Sequence, residues 1–82
     1  MSSSTRPLYL IAEEIIADWS TKGKGISPYA GPYLDAMSEL GSITDQYYAD
    51  SGESVVRYFL ANAGAWRGDV ARRVKAELKG ML

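Results

Sequence analysis

DSGESVVRYFLANAGAWRGDVARRVKAELKGML, residues 50–82, is the stretch whose reading decides the fold. Val55, Val56, Phe59, Leu60 and Ala63 recur at helical spacing, and a second stripe runs from Trp66 through Val70, Val74 and Leu78, with Ala71 beside it. Asp50 followed three residues later by Glu53 is a capping box that would start the first helix, and Ser51 is the alternative cap. Gly64 and Gly68 each cost up to about 1 kcal/mol inside a helix. The two stripes are therefore expected to be separate helices, broken between Ala61 and Ala65, with Asn62 a candidate cap for the second. The spacing Gly64-x-x-x-Gly68 is expected to let another backbone approach under Trp66, and Trp66 to dock against the core. Arg67 and Asp69 exclude a membrane dimer of the G-x-x-x-G type.

Working outward, the preceding segments are also helical. Leu8, Ile11, Ala12, Ile15 and Trp19 form one stripe over residues 6–20, with Thr5 as cap, Pro7 in the first turn and Tyr9 and Ile16 widening the apolar face. Residues 1–5 are expected to be a disordered polar tail and residues 6–82 one helical domain. Residues 21–27, with Gly23 and Gly25, form a loop. It matches neither a phosphate-binding loop nor a dinucleotide fingerprint, because no upstream glycine precedes Gly23-Lys24 and Pro28 occupies the position of a third glycine. A turn over residues 28–31 leads to a helix over 32–40, capped by Gly31, buried through Tyr33, Leu34, Met37 and Leu40, and ended by Gly41 as a left-handed cap. Residues 42–48 are either a short helix capped by Ser42 or an irregular loop carrying Tyr47 and Tyr48. The expected fold is all-α, a bundle of three to four helices.

Composition restricts the chemistry. The chain has 82 residues, no cysteine and no histidine. Disulfides, thiolate sites and the commonest metal ligand are thereby absent. Asp35 and Glu39, four apart on a helix, are expected to be a solvated face rather than a metal site. No enzyme activity, cofactor or metal is expected. The first 19 residues lack the pattern of a signal peptide and no run approaches a membrane span, and the missing cysteines fit a reducing cytosol.

Charge is polarised. Residues 1–56 carry three cations against eight carboxylates, and residues 57–82 carry six against two, giving −5 and +4 and the formal net charge of −1. Either the halves neutralise each other within the fold or the basic end meets a partner. Arg67, Arg72, Arg73, Lys75 and Lys79 form the candidate partner or nucleic-acid face. Arg72, Lys75 and Lys79 share one side of the helix, and Asp69 and Arg73 are an i,i+4 pair. No helix-turn-helix, zinc-finger or basic-zipper signature accompanies them. Six tyrosines are present. Tyrosine combines contact area with a polar tip, which makes Tyr29, Tyr47 and Tyr48 a candidate protein interface.

PYLDAM at 32–37, SG-x-S-x-V-x-YFL at 51–60 and WRG-x-VARRVKAELK at 66–79 resemble small proteins encoded by actinobacteriophages, such as phages of mycobacteria. The resemblance covers nearly the whole chain from Arg6 onward. It implies an infected or lysogenic bacterial cytoplasm and no established activity, and it carries over no functional residues. Phage DNA-binding proteins of this size usually show a legible helix-turn-helix, which this chain lacks. The leading expectation is a non-enzymatic interaction protein that binds a host or phage protein and is open to self-association. The alternative is a nucleic-acid-binding accessory protein using the basic C-terminal helix.

Overall fold

The computed structural model describes residues 6–82, so the proposed cap Thr5 and the tail over residues 1–5 lie outside the described residues. Four helices, α1 (Leu8–Trp19), α2 (Gly31–Met37), α3 (Gly52–Ala61) and α4 (Asp69–Met81), are joined by a two-stranded antiparallel ribbon of β1 (Gln46–Tyr47) and β2 (Asp50–Ser51). The chain is thus mainly helical rather than purely all-α.

Helix α1 buries its whole predicted stripe, Leu8, Ile11, Ala12, Ile15 and Trp19. Its cap position is Pro7, which offers no capping side chain. The orphan donors of a first helical turn need partners. Here Leu8 N–H donates to the Gly41 carbonyl and Tyr9 N–H to the Leu40 carbonyl, both at 3.0 Å. A tertiary contact therefore does the work of a local cap and ties the start of α1 to the segment after α2.

Helix α2 follows a turn in which Ser27 accepts from Tyr29, Ala30 and Gly31. Ala30, not Gly31, is the cap, and Pro32 falls within the first two positions, where its missing N–H costs nothing. The helix stops three residues short of the predicted Leu40. Tight turns then place Leu40 in the core alongside Leu34, Ala36 and Met37, and Tyr33 packs half-buried against it. Gly41 is not a left-handed cap. Its N–H donates instead to Asp45 Oδ2.

Residues 42–48 form neither the short helix nor the irregular loop that the sequence leaves open, but a turn and the first strand of the ribbon. Asp45 Oδ2 accepts from Gly41 N–H at 2.9 Å and Ser42 N–H at 3.1 Å, closing a turn that feeds β1. These bonds hold the Asp45 carboxyl below its usual range. The ribbon pairs Gln46 with Ser51 and Tyr47 with Asp50. Asp50 is therefore a strand residue, and no Asp50–Glu53 capping box forms. Ser51 Oγ accepts from Ser54 N–H and caps α3, while Glu53 turns outward to Arg57.

Gly52 is where the ribbon meets the preceding turn. Its N–H donates to the Asp45 carbonyl at 2.7 Å, and a Cβ placed there would lie 2.6 Å from the Ser42 carbonyl oxygen and 2.9 Å from Ile43 Cα. The close backbone approach that Gly64 and Gly68 suggested occurs here instead, since a Cβ on Gly64 meets nothing within 4 Å.

The break after α3 falls where predicted. Asn62 closes α3 rather than capping the next helix, donating its side-chain N–H to the Tyr58 carbonyl. Helix α4 begins only at Asp69, after Gly68 at φ +111°. Val55, Val56 and Phe59 of α3 and Ala71, Val74 and Leu78 of α4 are buried, with Val70 only partly so. One core cluster takes residues from all four helices.

Gly52→Ala forces Cβ against backbone atoms and is expected to cost about 1–3 kcal/mol. Gly64→Ala enters open space at a negative φ and is expected to be neutral or to stabilise by up to about 1 kcal/mol. Urea unfolding of the two variants measures both, and equal stabilities would contradict the ribbon packing.

Candidate interaction surfaces

Loop 62–68 decides which cations remain free. Trp66 lies in the core, 1% exposed. Its ring stacks on Trp19 at 5.8 Å and meets the edge of Phe59 at 6.4 Å. Its indole N–H donates to Asp18 Oδ2 at 2.9 Å. The Lys22 ammonium, 2.9 Å from the same oxygen, also donates to the Arg67 carbonyl at 2.8 Å. Lys22 and then Trp66 hold the Asp18 carboxyl below its usual range. Gly68 leaves room for Lys22, because a Cβ at this position would fall 2.5 Å from its Nζ.

Lys75 holds the loop from the other side. Its ammonium donates to the carbonyls of Ala63 and Trp66, each at 2.7 Å, and lies 5.9 Å from the centre of the Trp66 ring. Burial, followed by Lys79 and Arg67, pushes its pKa down. The two carbonyls compensate the retained charge. Lys75 is thus a structural brace, and it leaves the predicted binding face.

The other four predicted cations divide. Arg73 pairs with Glu14 of α1, not with Asp69. Arg72 pairs with Asp69 across a single turn, at an exposed position. Arg67 and Lys79 have no ion pair among the described residues. Trp66, Arg67, Gly68, Ala71, Arg72 and Lys75 line an open depression of about 370 Å³. The site that survives is smaller than predicted, consisting of Arg67 and Arg72 at this depression and Lys79 further along α4.

Arg73 to Glu14 is the long-range pair that joins a cation of the basic end to a carboxylate of the acidic front, and Arg6 to Glu77 links the same ends with the charges reversed. Arg6 Nε and an Nη donate to the two Glu77 oxygens at 3.0 and 2.6 Å, and the guanidinium lies 2.8 Å from Glu14 Oε1. Glu14 therefore stands between Arg6 and Arg73. Arg73 and then Arg6 draw the Glu14 carboxyl down against the opposing effect of burial, and Arg6 does the same for Glu77. No local spacing rule finds a pair 71 residues apart. The available hint was that Arg6 is the only arginine of the acidic half.

The tyrosines also divide. Tyr48, at the ribbon's tip, is 87% exposed and held at φ 55°. Its ring meets that of Tyr47 edge-on at 4.7 Å. Tyr47 is half-buried, and its hydroxyl pKa is raised by burial and then by Glu39, Tyr48 and Asp35. Asp35 of α2 and Glu39 just after it are thus the carboxylates whose charge reaches Tyr47. Tyr29 is 74% exposed and has no aromatic partner among the described residues. Tyr33 and Tyr58 stack at 5.6 Å across α2 and α3.

Among the described residues no group of three potential ligands could hold a metal ion, and no helix is long and apolar enough to cross a membrane. No family model, curated protein or solved structure matches the chain.

Lys75→Met removes the donor from two loop carbonyls and is expected to destabilise by about 1–3 kcal/mol, whereas Lys79→Met is expected to stay within about 0.5 kcal/mol of the parent. Thermal melts distinguish them. Glu14 and Glu77 have lowered folded pKa values, so on acidification the unfolded chain takes up their protons first. The stability they contribute is present above the ordinary carboxylate value of about 4.3 and is lost as pH falls through the folded values. Arg73→Ala is expected to shrink this acid-induced loss in urea titrations at neutral and acid pH, and an unchanged loss would contradict the role given to Glu14.

Proposed function

We propose that the chain is a non-enzymatic interaction module that binds another protein through Tyr47 and Tyr48, with Tyr29 as a second exposed contact. The observation that carries this reading is Tyr48. A non-glycine residue in the left-handed region costs on the order of 1 kcal/mol or more, and Tyr48 also leaves its ring in water. Within the fold that side chain has its edge-on contact with Tyr47 and little burial, whereas an interface would use the whole ring, because tyrosine is enriched at binding hot spots. The exposed carboxylates Asp35 and Glu39 beside Tyr47 favour a partner with a cationic rim. On the actinobacteriophage resemblance, that partner is a host or phage protein of the bacterial cytoplasm.

A photo-crosslinking amino acid at position 48 tests this in lysate of an actinobacterial host. The expected result is one dominant adduct that disappears when unlabelled wild-type protein competes but persists when Tyr29→Ala/Tyr48→Ala protein competes. Equal competition by both proteins would exclude the tyrosine surface.

A nucleic-acid accessory role is the second reading, favoured by the depression bearing Arg67 and Arg72. Electrostatic binding of this kind weakens with added salt, with a slope of about −0.9 per phosphate contacted on duplex DNA. The Arg67→Ala/Arg72→Ala variant is expected to lower the magnitude of that slope by about two. No retardation of DNA or RNA at low salt would dispose of this reading.

A further inference from the structure

The outward face of α1 is apolar, as its inward face is. Leu8, Ile11, Ala12, Ile15 and Trp19 point into the core. Tyr9, Leu10 and Ile16 are 44, 42 and 37% exposed, and Ala17 is exposed with them. At about 100° per residue, these four and Glu13 occupy one arc roughly 120° wide, opposite the buried stripe. A surface helix ordinarily places charged side chains there. α1 places a single one, Glu13, near the middle of its length and of the arc.

The charge on that face is unanswered. Glu14 is engaged by Arg6 and Arg73, and Asp18 by Lys22 and Trp66. Glu13 has no ion-pair or hydrogen-bond partner among the described residues. Covering Tyr9, Leu10 and Ile16 would dehydrate Glu13, and a dehydrated carboxylate without a partner is costly.

We propose that the outer face of α1 docks a helix of another protein, an amphipathic helix whose apolar stripe carries one lysine or arginine at its centre. Apolar contact supplies affinity and the central cation supplies selectivity. A second copy of the chain fits poorly. A two-fold pairing of α1 with itself crosses near residues 13 and 14 and sets Glu13 against Glu13. A lipid surface fits poorly too, because the arc has no cation to meet headgroups. The surface shares no residue with the tyrosine ribbon.

The probes are two labelled, stapled helical peptides with leucines along one face and either lysine or glutamate at the centre of that face. Fluorescence anisotropy is expected to show the lysine peptide binding about tenfold more tightly than the glutamate peptide. Glu13→Lys is expected to invert the order. Ile16→Asp is expected to weaken both at least tenfold with an unchanged circular-dichroism melt, and Tyr48→Ala to leave both unaffected, which separates this site from the tyrosine surface. Equal binding of the two peptides, or no binding, would overturn the proposal. So would a dimer, or binding to anionic vesicles, that Ile16→Asp abolishes.

Discussion

The seating of Trp66 is the constraint on which the rest depends. Its indole fills the space between α1 and α3, stacks on Trp19 and hydrogen-bonds to Asp18. Truncating a buried tryptophan removes about 3–5 kcal/mol, a large share of the roughly 5–15 kcal/mol that holds a small domain. Trp66 belongs to no helix. A loop must carry it into the core, and such a loop brings backbone carbonyls with it that need donors. Lys22 and Lys75 provide them, each spending a flexible cation on a fixed contact.

That arrangement explains what the surface has left. Lys75 braces the loop, and Arg73 and Arg6 meet Glu14 and Glu77. Of the six cations in residues 57–82, two, Arg67 and Lys79, are exposed with no ion pair among the described residues. A single pair, Arg73 with Glu14, answers the charge polarity between α4 and α1, and Arg6 with Glu77 ties the two ends together in the opposite sense. By contrast, Tyr48 at the ribbon's tip is largely in water, and Tyr9, Leu10 and Ile16 on the outer face of α1 remain partly exposed.

Much of the core was legible in the sequence because helical periodicity reports burial directly. The stripe of α1 was read in full, and the break between α3 and α4 followed from two glycines. What local rules could not supply was long-range. The start of α1 is satisfied by carbonyls more than thirty residues away, so its cap could not be read nearby. The ribbon was missed because two paired residues per strand leave no alternation to detect. Gly52 was absorbed into a capping pattern although its role is to pass under Ser42 and Ile43. Lys75 was placed on the solvent face because helical spacing fixes the direction of Cβ, not where a four-carbon stem takes its ammonium. Of the three tyrosines proposed as an interface, Tyr47 and Tyr48 meet edge-on and Tyr29 has no aromatic partner among the described residues.

The measurement that tests the account most directly is hydrogen exchange at the Trp66 indole N–H, followed by NMR. If Trp66 is the joint between α1, α3 and the loop, that proton exchanges only when the whole molecule opens. Its opening free energy then equals the global unfolding free energy measured in urea. Exchange at the rate of a free indole, or an opening free energy well below the global value, would show that the loop leaves the core independently, and the account would fail.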